Sequence, residues 1–256
     1  MKAIKILSIL FVIVIGSLNV RAQVPDTKPT IIFVHGIWAD GTSFAAQIEA
    51  LQAKGYPVIS VQNPITSLAD DVAATKRAIA RAKGNVILVA HSWGGFVITQ
   101  AGNDPKVVGL VYVAAFGPDL GETVPTVSAK GPATIFFNYV EPQEGFLYLS
   151  KAGVKTVFAQ DLTPKQQDLI YATQIPASQT VLQDVSGEPA WKIKPSWYIV
   201  AKSDSAIGPV LERFMAKRMN AKTTEIEGSH VVMISHPNEV LNVIEEAINV
   251  SGQQKG

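Results

Sequence analysis

Ser92 lies where an apolar run meets a pair of glycines, in Asn85-Val-Ile-Leu-Val-Ala-His-Ser-Trp-Gly-Gly95. A serine hydroxyl is a weak nucleophile until a base takes its proton and the backbone presents its oxygen. A strand that turns sharply into a helix at the serine does the presenting: it lifts Oγ clear of the chain and sets it at a helix N-terminus, where free N–H groups favour developing negative charge. So tight a turn needs small residues two positions to either side, and Ala90 and Gly94 supply them. An ordinary Ser-Gly turn would lack the strand before and the helix after. The base has to be one of four histidines. His35 and His91 sit in turns, where bracing is the ordinary role, and His236 precedes Pro237 at a helix start, where a surface or capping role fits better. His230, in Glu227-Gly-Ser-His230, follows the last strand candidate and is free to take the proton. An imidazole whose ordinary pKa is near ~6.5 suits that exchange. Asp204, in Lys202-Ser-Asp204, follows the run Trp197-Tyr-Ile-Val-Ala201 and falls where open parallel sheets place their functional loops.

Together with Phe33-Val-His-Gly-Ile-Trp38 after the first apolar run, the stretch Ala90-His-Ser-Trp-Gly-Gly95 resembles the α/β-hydrolase family. The likeness covers the chain beyond residue 22 and is nearest to the small members that include plant methyl-ester esterases and hydroxynitrile lyases. Ala90 stands where the commonest family pattern has glycine, a departure small enough to leave the turn intact. The resemblance implies Ser92 as nucleophile, His230 as the base that comes last in chain order, and the backbone amides of Ile37 and Trp93 as the oxyanion hole. It also implies Asp204 as the orienting acid, with Asp119 as a rival because some members carry the acid one strand earlier. Lyase-type members carry Thr where Gly36 stands and Lys where Val231 stands; this chain has neither. The implied function is hydrolysis of a small carboxylic ester through an acyl-enzyme. A lyase or perhydrolase on the same scaffold, or a receptor-like protein that binds a ligand and turns it over slowly, remains an alternative.

The elements that must position these residues follow from periodicity. Strand candidates fall at 30–34, 58–61, 85–90, 107–114, 196–201 and 223–226, several of them uninterrupted Val/Ile/Leu stretches, the mark of strands covered on both faces. Helical segments alternate with them at 42–54, 67–83, 94–101, 209–219 and 237–249, several closed by glycine or opened by proline. The alternation predicts an α/β fold with a mostly parallel, doubly wound sheet. Residues 118–195, rich in proline and aromatics, break the pattern and are expected to form a mainly helical cap inserted in the single domain 23–256. Trp38, Phe116 and Trp191 are candidates for a substrate pocket, each with plain core packing as the alternative.

Composition narrows the remaining choices. The chain has 256 residues, 47% hydrophobic and 17% charged, and a net charge of +1 without a basic run, which argues against a nucleic-acid partner. It has no cysteine, so disulfides and thiolate metal sites are excluded. No metal-binding or phosphate-cradling motif is present, and no cofactor is expected. Residues 1–22 carry Lys2 and Lys5, an apolar run from Ile6 to Ile15, and Val20-Arg21-Ala22, the pattern of a secretory signal peptide. The expected mature chain begins at Gln23 in the periplasm or outside the cell. No segment has the ~20 apolar residues of a membrane span. The expected partner is a small-molecule ester, and the oligomeric state is left open.

Overall fold

A computed structural model describes residues 28–253 of the chain. The expected signal segment lies outside the described residues. The main sheet has six parallel strands: β1 (Thr30–Val34), β2 (Val58–Val61), β3 (Val86–Ser92), β4 (Val107–Ala115), β8 (Ser196–Ala201) and β9 (Lys222–Ile226), in the spatial order β2-β1-β3-β4-β8-β9. Every residue of β1, β3 and β8 is buried, as their unbroken apolar character requires when helices cover both faces. The edge strand β9 differs: Lys222, Thr223 and Glu225 are exposed on a strand with one free side, where charge discourages edge-to-edge pairing.

Helices α1 (Ala45–Ala53) and α9 (Pro237–Gln253) pack together, while α2 (Leu68–Arg81) and α3 (Gly94–Ala101) form a second packed pair. Ser67 caps α2 by accepting from the Asp70 amide, and Asp70 and Asp71 in the first turn with Arg81 in the last complement the helix dipole. The chain leaves β1 toward β2 on one side and returns to β3 on the other. The loops after β1 and β3 therefore diverge and leave a crevice at the C-terminal edge of the sheet, the usual place for a ligand in such folds.

Strand positions match the apolar runs to within two residues at any end. The helix expected at 42–54 begins instead as a 3₁₀ turn over Gly41–Phe44, because the Asp40 carboxylate accepts from the Thr42 amide at 2.8 Å and tightens the entry. The last helix runs on to Gln253, past the expected end at Asn249, and Ser251 donates to the Val108 carbonyl at 3.3 Å.

The segment between β4 and β8 is mainly helical, as expected, and adds a small sheet that the sequence pattern did not show. Besides α4 (Val124–Ser128), α5 (Lys151–Gly153) and α6 (Pro164–Thr173), it holds a three-stranded antiparallel sheet of β5 (Val140–Gln143), β6 (Phe146–Leu149) and β7 (Ala177–Ser178). Gln143 pairs with Phe146 across a two-residue turn. Both turn residues, Glu144 (φ 48°) and Gly145 (φ 85°), are left-handed, the backbone twist that suits a tight hairpin. The cap is thus mainly helical with one short antiparallel sheet. α7 (Pro209–Arg218) and the short α8 (Val232–Ser235) complete the frame around the loops after β8 and β9.

Candidate active site

Ser92 ends β3 with φ 53°, a left-handed conformation that costs an L-residue energy and is held by the packing around it. That packing requires bare backbone. A Cβ on Gly94 would lie 2.4 Å from the Val34 carbonyl oxygen, and one on Gly95 only 1.8 Å from the Phe116 carbonyl oxygen. Helix α3 is thereby drawn against β1 and the end of β4, with its N-terminus at Ser92.

Ser92 Oγ donates to His230 Nε2 at 2.9 Å, and His230 Nδ1 donates to Asp204 Oδ2 at 2.6 Å. Both His230 and Asp204 are almost completely buried. The remaining Asp204 oxygen, Oδ1, accepts from the Ala206 and Ile207 amides at 2.6 and 3.1 Å. Burial alone would raise the Asp204 acid; the His230 charge, its hydrogen bond and these donors outweigh it and hold the group below the usual carboxylate range. A carboxylate only accepts, so the His230 proton sits on Nδ1 and Nε2 is left to receive the serine proton. Asp119 does not join this group. It is half-exposed, pairs with Lys192 at 2.6 Å and accepts from the Leu120 amide at 2.7 Å.

The two turn histidines act as braces. His35 Nδ1 donates to the Gly36 carbonyl at 2.9 Å and its Nε2 accepts from the Asn63 amide at 2.9 Å, fixing the loop after β1. His91 Nε2 donates to the His230 carbonyl at 3.0 Å, so it holds the backbone of the residue that faces the serine. Burial keeps both well toward the neutral form, and for His91 the nearby His230 adds to that.

Ile37 and Trp93 line the cavity beside Ser92, on the loop after β1 and at the start of α3. The next amide along, that of Trp38, is already committed to the Ile175 carbonyl at 3.2 Å. The Trp93 indole is fastened from below: Nε1 donates to Asp71 Oδ2 at 2.8 Å, while Asp71 Oδ1 accepts from the Ile65 amide at 2.9 Å.

The cavity above Ser92 measures about 300 Å³. Trp38 and Phe116 line it as expected; Trp191 does not. Its indole is buried and donates to the Pro118 carbonyl at 2.8 Å, so its work is to pin the start of the cap. Several walls were not singled out in the sequence, among them Val124, Phe136 and Phe137 from the cap and Ile207 and Leu211 near α7. Trp38 joins the two halves, its ring tilted against that of Phe136 at 5.1 Å and its Nε1 donating to the Leu147 carbonyl at 3.0 Å. A single π-turn over Val154–Phe158 aims Phe158 at the His230 ring, 5.1 Å away. Asp161 accepts from the Ser229 amide at 2.8 Å, tying the cap to the loop that carries His230. Among the described residues no cluster of three or more His, Asp or Glu side chains could hold a metal ion, and no helix is long and apolar enough to cross a membrane.

A family model described as "Alpha/beta hydrolase family" matches residues 31–243. The alpha/beta hydrolase nvfD of Aspergillus novofumigatus is 25% identical over 86% of this chain and 96% of its own length. A carbendazim hydrolyzing esterase of Nocardioides is 29% identical over 39% of this chain and 47% of its own. Among solved structures, a pyrethroid hydrolase from Sphingobium faniae superposes with a TM-score of 0.74 at 22% identity, covering 86% of this chain and 97% of that one. At that identity the likeness speaks for a shared fold.

Proposed function

The chain belongs to the α/β-hydrolase family, and from that premise we propose that it is a serine hydrolase that cleaves a small, neutral carboxylic ester through an acyl-enzyme on Ser92. The observation that carries this reading is the unbroken line from Ser92 Oγ through His230 to Asp204, at the floor of a largely apolar cavity. His230 Nε2 takes the Ser92 proton as Oγ bonds to the ester carbonyl carbon. The carbonyl oxygen becomes negative beside the Ile37 and Trp93 amides, where a donor of this kind is typically worth ~10²–10³ in rate. The imidazolium, offset by Asp204, returns its proton to the alcohol as the C–O bond breaks. Water then repeats the sequence on the acyl-enzyme and frees the acid.

The substrate class follows from the walls. Trp38, Phe116, Phe136 and Leu211 give apolar area, and no Lys, Arg, Asp or Glu among the described residues lines the cavity, so a charged acyl or alcohol group would be desolvated without a partner. The names of relatives that hydrolyse carbendazim and a pyrethroid add support for an apolar substrate. A lyase reading meets a steric obstacle at Gly36, where even a Cβ would come within 2.6 Å of the Ser92 Cβ. The threonine of lyase-type members has no room there without displacing the nucleophile.

The test is a fluorophosphonate probe together with a panel of short aryl and alkyl esters and a pyrethroid ester. Ser92→Ala is expected to abolish labelling and to lower ester hydrolysis by several orders of magnitude. Labelling that survives at another serine would overturn the assignment.

A further inference from the structure

One buried acid has no part in the mechanism above. Glu212 lies in α7 and is completely buried. Its Oε2 accepts from the Ala201 amide at 2.9 Å, at the end of β8, while Oε1 receives no donor among the described residues. Ala201 joins the two acids: its carbonyl accepts from the Asp204 amide at 3.1 Å while its amide donates to Glu212, so the two buried carboxyls are neighbours. The other groups near it are Tyr198 on β8, whose hydroxyl donates to the Ala115 carbonyl, and Arg213 on its own helix, which turns outward into a two-pronged pair with Glu225. Among the described residues no cation forms an ion pair with Glu212. Two adjoining carboxyls in one buried space cannot both stay ionised, and the proton goes to the one whose charge is worse supported. Asp204 has His230 and two amides; Glu212 has one amide.

We propose that Glu212 is held as a neutral carboxylic acid whose Oε1–H donates to the Asp204 carboxylate, making it a positioning residue for the Ser92–His230–Asp204 line. The proposal rests on the serine-hydrolase reading for its catalytic consequence, although the protonation itself does not. The donated hydrogen bond satisfies the otherwise orphaned Oε1 and spreads the Asp204 charge. That leaves Asp204 less able to draw the proton off His230 Nδ1 and keeps Nε2 free for the serine. Burial first, and then the Asp204 charge, push the Glu212 acid well up, in the same direction as the geometry.

The experiment has two arms. In the resting protein near neutral pH, infrared difference spectra between wild type and Glu212→Gln should show a protonated-carboxyl carbonyl band that the variant lacks; absence of that band in the wild type overturns the proposal. This arm needs no substrate and stands even if the hydrolase reading fails. In the second arm, Glu212→Leu removes the donor at similar volume. It should lower kcat/KM by roughly 10–100-fold, the range of a hydrogen bond to a charged group, and shift the acid limb of its pH profile upward as Asp204 holds the imidazolium more tightly. Glu212→Gln, whose amide can donate to Asp204 and accept from Ala201, should rescue most of the loss and return the limb. If Glu212→Gln instead moves the acid limb to lower pH, a negative charge has been removed and Glu212 is ionised in the native enzyme. A folded Glu212→Leu with wild-type rate and profile would equally defeat the positioning role.

Discussion

Asp204 and Asp119 carry the same functional group in loops at the same edge of the sheet, and their surroundings separate them. The first is buried and gives one oxygen to His230 and the other to two amides; the second is half-exposed and spends its charge on Lys192. Asp204→Asn should favour the wrong imidazole tautomer and cost a factor on the order of 10⁴ in kcat, as in other triads. Asp119→Asn should cost less than about tenfold, since a surface ion pair is worth ~0–1 kcal/mol. Steady-state kinetics on folded variants checks both, and a larger loss at Asp119 would reverse the assignment. Ser92 and Asp204 were legible as candidates because each follows a strongly apolar strand, Val86–Ala90 and Trp197–Ala201, whereas His230, after the polar β9, was legible from its place last in chain order. Glu212 was not. A glutamate in a surface helix reads as a solvated side chain, and only the turn of α7 against β8 brings it inside. Trp191 erred the other way, an aromatic near the site in sequence whose indole is used up by a carbonyl.

At the scale of elements, the sharp turn at Ser92 depends on α2 as well as on its own strand and helix. Asp71, in the first turn of α2, holds both the Ile65 amide and the Trp93 indole from a fully buried position. Burial raises its acid from 3.8 to about 6, against the pull of those two bonds and with a further push from Asp70 and Asp184. The folded state therefore binds this proton more tightly than the unfolded chain does. Its contribution to stability is full below the unfolded value and is lost as the pH rises through the folded one. Acidification from pH 7 to pH 5 should add about 1 kcal/mol to the wild type through this group alone. Asp71→Asn, which cannot titrate, should lack that increment, so urea unfolding at the two pH values should show a smaller gain in the variant. Equal gains would mean that Asp71 does not titrate in this window. The cap shows where legibility stopped at this scale. The inner strands β1, β3 and β8 are buried throughout and announce themselves as apolar runs. The exposed residues of β5, Glu141, Pro142 and Gln143, give no alternation, and its pairing with β6 is set by two left-handed turn residues.

For the molecule as a whole, the sequence pattern of residues 1–22 and the architecture that follows meet at a short spacer. β1 starts at Thr30 and is no peripheral strand: it lies between β2 and β3, is wholly buried, and leads into the loop that carries Ile37. Cleavage after Ala22 would leave residues 23–29 ahead of it and take nothing from the sheet. It would remove Lys2, Lys5 and Arg21 and no acid, changing the net charge from +1 to −2 over 234 residues. Without cysteine, an oxidising compartment imposes no covalent constraint on the native state. The expected outcome is that the exported protein begins at Gln23, as intact-mass measurement would read directly. A chain made from Gln23 onward in the cytoplasm should match it in melting temperature and in esterase activity. Recovery of the chain with Met1 in place from a membrane fraction would show that the segment is retained as an anchor, and a loss of stability on its removal would show that it packs on the fold.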